Sequence, residues 1–239
     1  VLVIISGNID LSVGSLMGFL GGLAAILQIN YNVATLPTII ITIAAGFVIG
    51  VLQGCIIAYG NVPSFIVTLG TMLIFRGALL GITNGRTISP ITESLRWVGQ
   101  SYISKSAGLI LAILISMIFL IYGIKQYSAG ELKENQINNK TIRLIPLIKL
   151  FWYAALIIIF VLIMNSYKGI PIPVIVMLAV VAFGTFLANK TVFGRSVYAV
   201  GGNKEASIYS GIKVNKTILI TFILNGCLSA ISGLILTAR

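Results

Sequence analysis

NKTVFGRSVYAVGGNKEASIYSGIKVNK, residues 189–216, is a polar stretch set between two runs of almost pure hydrocarbon side chain. It carries five cations, Lys190, Arg195, Lys204, Lys213 and Lys216, against the single anion Glu205, a local net charge of +4. A loop that basic between apolar spans is expected on the cytoplasmic side of a membrane. Its centre, Gly201 to Gly211, reads as a flexible lead-in, a short helix of about two turns and a glycine stop. That shape suits docking into a groove on a partner.

The flanks of this stretch decide the class. The chain has 239 residues, of which 58% are hydrophobic and only 9% charged, with a mean hydropathy of +1.07. These values lie outside the range of soluble domains, and the chain reads as an all-α, polytopic transmembrane helical bundle. The formal charge of +11 is not a nucleic-acid signature. The cations sit in loops between apolar runs, with no basic stripe interleaved with aromatics. Val1–Ile5 is apolar and follows no basic leader, so the chain is expected to open inside a span. It is read as the middle of a longer protein lacking helices at both ends.

After that stub, runs long enough to cross about 30 Å of hydrocarbon fall at 13–29, 36–58, 62–82, 107–124, 144–164, 172–188 and 217–238. The sixth is short, and Pro171 and Pro173 are expected in its first turn, where a missing N–H costs nothing. With 189–216 inside, the alternating spans put 125–143 inside as well, with Lys125, Lys133, Lys140 and Arg143. Loop 83–106 falls outside. There Ser89 and Pro90 read as N-cap and first residue of an interfacial helix carrying Leu95, Val98 and Tyr102, with Trp97 at the headgroups. It is either an ordinary amphipathic loop helix or a gate. The whole, 1–239, is read as one transmembrane domain.

Three glycine ladders, Gly14/Gly18/Gly22, Gly46/Gly50/Gly54 and Gly77/Gly81/Gly85, offer stripes for close helix packing rather than chemistry. Arg76 is read as the one ionisable side chain within the spans, able to reach the interface. No acid is expected in mid-membrane, which argues against a proton relay within this chain. Asp10 and Ser12, in Ser6–Ser15, either cap the next helix or hold a gate at the inner end of a path. Gln53, Thr68 and Asn225 either bond between helices or line a path for a neutral polyol.

Several chemistries have no residues to carry them. Histidine is absent and there are two cysteines. Both of these, Cys55 and Cys227, fall inside spans as small apolar residues, so no metal or redox role is assigned. The paired carboxylates or serine–base sets of an intramembrane enzyme are lacking. Gly201–Ser207 is not a P-loop, because Lys204 precedes Glu205 rather than Ser or Thr. No nucleotide cofactor is expected on this chain.

SGNIDLSVGSLMG (6–18), NVPSFIVTLGTMLIFRG (61–77), TNGRTISP (83–90) and GRSVYAVGGNKEASIYSGIKVNK (194–216) are similar to the membrane-spanning permeases of bacterial ABC sugar importers. That group includes ribose, galactoside and xylose permeases and shares a fold with the vitamin B12 permease. The extra loop and span after residue 124, with GQSYISKSAG (99–108) and NSYKGIPIPV (165–174), resemble the xylose type. The resemblance implies a homodimer in the lipid bilayer, ABC ATPase subunits that bind ATP and magnesium, and an extracytoplasmic sugar-binding protein. It also implies a coupling motif matched by Glu205, Ala206 and Gly211, with Ser207 where the motif has a second alanine. Gly201, Gly202 and Asn203 lie in the same block. Asp10, Ser12, Gln53, Phe65, Arg76, Asn84 and Asn225 are the candidates for a translocation path or gate. The alternative held open is an ion-coupled secondary transporter or channel.

Overall fold

The computed structural model describes residues 1–89, 91–128 and 140–239. They form two compact units, residues 1–100 with 176–239, and residues 101–175.

Each apolar run becomes a helix close to its expected bounds. The first unit holds α1 (Leu2–Ile5), α2 (Val13–Ile29), α3 (Thr35–Ala58), α4 (Ser64–Thr83) and α5 (Glu93–Gln100). The second holds β1 (Tyr102–Ile103), α6 (Lys105–Ser128), α7 (Lys140–Asn165) and β2 (Ile170–Pro171). α8 (Ile172–Lys190) leads into the rest of the first unit: α9 (Val192–Gly202), α10 (Lys204–Tyr209) and α11 (Val214–Thr237). α3, α4, α8 and α11 are each long and apolar enough to cross a membrane. Of the loop expected at 125–143, the ends are helical and residues 129–139 lie outside the described residues. Lys149 lies within α7, inside a range read as a span, so Arg76 has a companion cation.

In lipid, apolar side chains gain little by meeting one another, so helices associate where backbones can approach closely. The second glycine ladder does this. Cβ atoms built at Gly46 and Gly50 would lie 2.5 Å from the Gly226 carbonyl oxygen and 2.6 Å from that of Phe222. At Gly54 a Cβ would lie 2.8 Å from Leu219 Cδ1. The order runs α3 antiparallel to α11. Gly233 sits against the Met17 carbonyl and Gly21 against Thr237, so α2 lies parallel to the second half of α11. The first ladder meets only the Leu79 side chain, at Gly18 and Gly22, while Gly77, Gly81 and Gly85 face open space. Packing thus explains one ladder fully, one in part and the third not at all.

α5 is clamped at one end of this bundle. Leu95 is fully buried with Ala24, Leu234 and Ala238, and Gly99 abuts the Ala238 backbone. Gln28, fully buried on α2, donates to Thr35 Oγ1 at 3.0 Å and accepts from Thr92 Oγ1 at 2.5 Å. Trp97 is exposed. The start of the helix differs from expectation. It begins at Glu93, with the Arg96 N–H bonded to the Thr92 carbonyl, so Ser89 is not its N-cap; Pro90 lies outside the described residues. Threonine serves there because Thr92 also reaches Gln28.

In the second unit, Ala112, Val161 and Ile170 form a small core between α6 and α7. β1 and β2 pair antiparallel, Tyr102 with Pro171. Pro171 and Tyr102 therefore belong to strands, not to the helices expected there. The Ile172 N–H, which proline could not supply, bonds the Ser101 carbonyl. Lys168 lies 5.5 Å from the Tyr167 ring centroid and 5.9 Å from that of Tyr102.

Candidate functional site

α1 and α2 are one apolar run broken in the middle. Gly7 has φ +77, a left-handed corner that glycine takes without Cβ strain, and the chain then runs without helix from Asn8 to Ser12. Because Met17 packs beside Gly233, the start of α2 lies beside the middle of α11 rather than at its end.

Polar groups converge on this break. Asp10 Oδ1 accepts from the Ser12 N–H (2.8 Å) and hydroxyl (2.6 Å), and Asp10 Oδ2 accepts from Asn225 Nδ2 (2.6 Å). Gln53 Nε2 donates to Ser12 Oγ at 2.9 Å and to Thr71 Oγ1 at 2.8 Å. The Thr71 hydroxyl donates in turn to the Val67 carbonyl at 2.9 Å. Thr68 bonds the Ile9 carbonyl, and the Ile9 N–H reaches Ser64 Oγ. Ser12, Gln53 and Thr68 are buried, whereas Asp10 and Asn225 are half-exposed. The direction of donation is set throughout: Gln53 spends both hydrogens, Ser12 passes its own to Asp10, and the carboxylate accepts three bonds. Removing one partner would leave a buried polar atom unpaired, at about 1–3 kcal/mol.

Four of the seven candidate path residues thus meet: Asp10, Ser12, Gln53 and Asn225. The other three do not join them. Phe65 stands exposed on α4 and Arg76 is exposed two turns from its far end. Asn84 is the left-handed C-cap of α4, φ 50, its N–H bonding the Leu80 carbonyl. Two expectations are corrected. Ser12 occupies the N-cap position of α2 but makes no side-chain capping bond; its oxygen accepts from Gln53 instead. And an acid does lie beside the middle of a spanning-length helix, which the apolar periodicity concealed.

The basic stretch forms a corner rather than a loop. Thr191 caps α9 through Gly194 N–H, and α9 continues through Gly202, so Gly201 and Gly202 end a helix instead of forming a flexible lead-in. Gly201 abuts α1; a Cβ there would strike the Ile5 carbonyl oxygen. Asn203 then caps both helices: its N–H closes α9 on the Ala199 carbonyl and its Oδ1 accepts from Ala206 N–H at 2.9 Å. α10 follows, stopped by Gly211 at φ +77. Ser207 faces inward, buried, its hydroxyl on the Asn203 carbonyl at 2.8 Å. The outward face carries Glu205, Ala206, Ile208 and Tyr209, the last 90% exposed. Ile208 and Tyr209 were not singled out from the sequence, where an apolar–aromatic pair in a six-residue helix has no distinguishing period.

The family model described as branched-chain amino acid transport system / permease component matches residues 1–239. The chain belongs to this permease family. A xylose transport system permease protein of Haemophilus influenzae is 47% identical over 243 residues, covering 100% of this chain and 63% of the relative. The corresponding Escherichia coli protein is 42% identical, covering 100% and 60%. A ribose import permease protein of Haemophilus influenzae is 29% identical, covering 99% and 54%. The permease chain therefore spans about 60% of the length of the xylose relatives it matches. No solved structure matches it significantly. Family membership and the spanning-length helices identify a polytopic protein of the cell membrane.

Proposed function

We propose that the chain forms part of the membrane-spanning subunit of an ATP-driven sugar importer, carrying xylose or a related monosaccharide into the cell. The observation that carries this is the 47% and 42% identity to two xylose permeases over the whole chain. The ribose relatives stand lower, at 29% and 31%. In this reading α9 and α10 face the cytoplasm and α10 docks in a groove of an ABC ATPase subunit, which binds ATP and magnesium. An extracytoplasmic binding protein delivers the sugar, and a second permease copy completes the pathway. Nucleotide-driven closure of the ATPases moves α10, and the attached helices follow as rigid bodies. The partners act by preferring one state of the bundle over another.

A second reading, ion-coupled transport by this chain alone, gains one point from the structure, since Asp10 supplies the carboxylate that reading needs. The family match weighs against it. ATPase activity of the reconstituted complex decides the solute. With its binding protein loaded in turn with xylose, ribose, arabinose and galactose, xylose is expected to stimulate hydrolysis most. Greatest stimulation by ribose or galactose would overturn the xylose assignment.

A further inference from the structure

Asp10 and Asn225 are half-buried, as Thr71 is, in a cluster whose Ser12, Gln53 and Thr68 are buried. The buried members fix them in place, Ser12 holding one carboxylate oxygen of Asp10 and Gln53 holding Ser12. What remains unspent is specific. Asn225 Nδ2 gives one hydrogen to Asp10 and keeps a second, and its carbonyl oxygen Oδ1 accepts no bond among the described residues. Asp10 Oδ2 accepts one bond and retains a lone pair. Asp10 in the break and Asn225 on α11 therefore keep one free acceptor each, with one donor between them. Asn225, though not Asp10, lines a cavity of about 380 Å³ with Thr185, Tyr198 and Thr221, within the about 300–1,000 Å³ typical of small-molecule sites; Asp10 reaches it only through its bond to Asn225.

We propose that Asp10 and Asn225 form a binding site for adjacent hydroxyl groups of a neutral polyol, one hydroxyl donating to each residue, with Ser12, Gln53 and Thr71 as positioning residues. This rests on the sugar-importer reading and gives it a contact point. Each residue keeps an acceptor that a hydroxyl can donate to, and a carboxylate strengthens its share of such a pair. A hard divalent cation fits less well, because it gathers six or more oxygens and the neighbouring Ser12 Oγ and Thr71 Oγ1 already accept from Gln53.

The test uses the full-length permease assembled with its ATPase and binding protein in vesicles, its native cysteines replaced and Leu228→Cys added. Leu228 lines the same cavity about one turn beyond Asn225. Xylose is expected to slow labelling of that thiol by a methanethiosulfonate reagent, and a deoxy analogue lacking one hydroxyl of the pair is expected to protect poorly. Asp10→Asn should raise the xylose concentration for half-protection by about ten-fold or more, because a charge-assisted bond is lost. The exchange Asp10→Asn with Asn225→Asp keeps one donor facing one acceptor and should retain protection, so the idea stays testable even where a single variant fails to insert. Absent protection, equal protection in Asp10→Asn, a correctly inserted exchange variant with none, or protection that requires an added cation would each overturn the site. Sugar uptake by the same vesicles separates the two claims. Uptake without protection sinks only this site, whereas no uptake of any monosaccharide sinks the importer reading.

Discussion

Gly226→Leu is expected to remove the folded protein from the membrane. The position faces the Gly46 carbonyl and the Gly50 backbone, and a built Cβ already overlaps that carbonyl oxygen. Overpacking a core costs about 1–3 kcal/mol where side chains can shift; here the obstacle is backbone, and α3 and α11 must separate. That separation would also undo the cluster, because Gln53 rides on α3 and Asn225 on α11. Detergent-extracted material should lose its monodisperse peak on size exclusion, while Gly77→Leu, in open space on α4, should keep it within this chain. Equal behaviour of the two variants would contradict the packing described.

Variants of α10 should act on transport without touching assembly. Glu205 and Tyr209 point outward from a helix held by its own cap at Asn203, so Glu205→Arg and Tyr209→Ala alter only the surface offered to a partner. Gly211→Asp adds charge and strain at a positive φ. Central interface residues lose 2 kcal/mol or more on truncation, so coupled uptake should fall by about thirty-fold or more, with membrane insertion unchanged. Labelled-sugar uptake, normalised to inserted protein, checks this. Normal uptake in all three would show that force does not enter through α10.

The helices were legible because a spanning run announces itself by length and hydrophobicity alone, and α2, α3 and α11 need no tertiary information to be found. Depth was not legible. Residues 6–12 read as a cap or a gate at the inner end of a path, since nothing local says that Met17 will lie against Gly233 and draw the start of α2 beside the middle of α11. The pairing of Asp10 with Asn225 follows from that register. Gln53 and Asn225 were still recognisable, because a carboxamide inside an apolar run must find a partner. Ser207, which stands where the motif has its second alanine and was grouped with the coupling residues, faces inward with its hydroxyl on the Asn203 carbonyl. Helical phase over six residues has too few apolar positions to be read in advance. Asn84, a path or gate candidate, takes the left-handed corner that ends α4.

Uptake of labelled xylose into vesicles holding the full-length permease with its binding protein, measured with and without the partner ATPase, tests the importer reading most directly. Uptake is expected only when the ATPase and ATP are both present, and an imposed ion gradient should not replace them. Accumulation driven by the gradient in vesicles that lack the ATPase would contradict it.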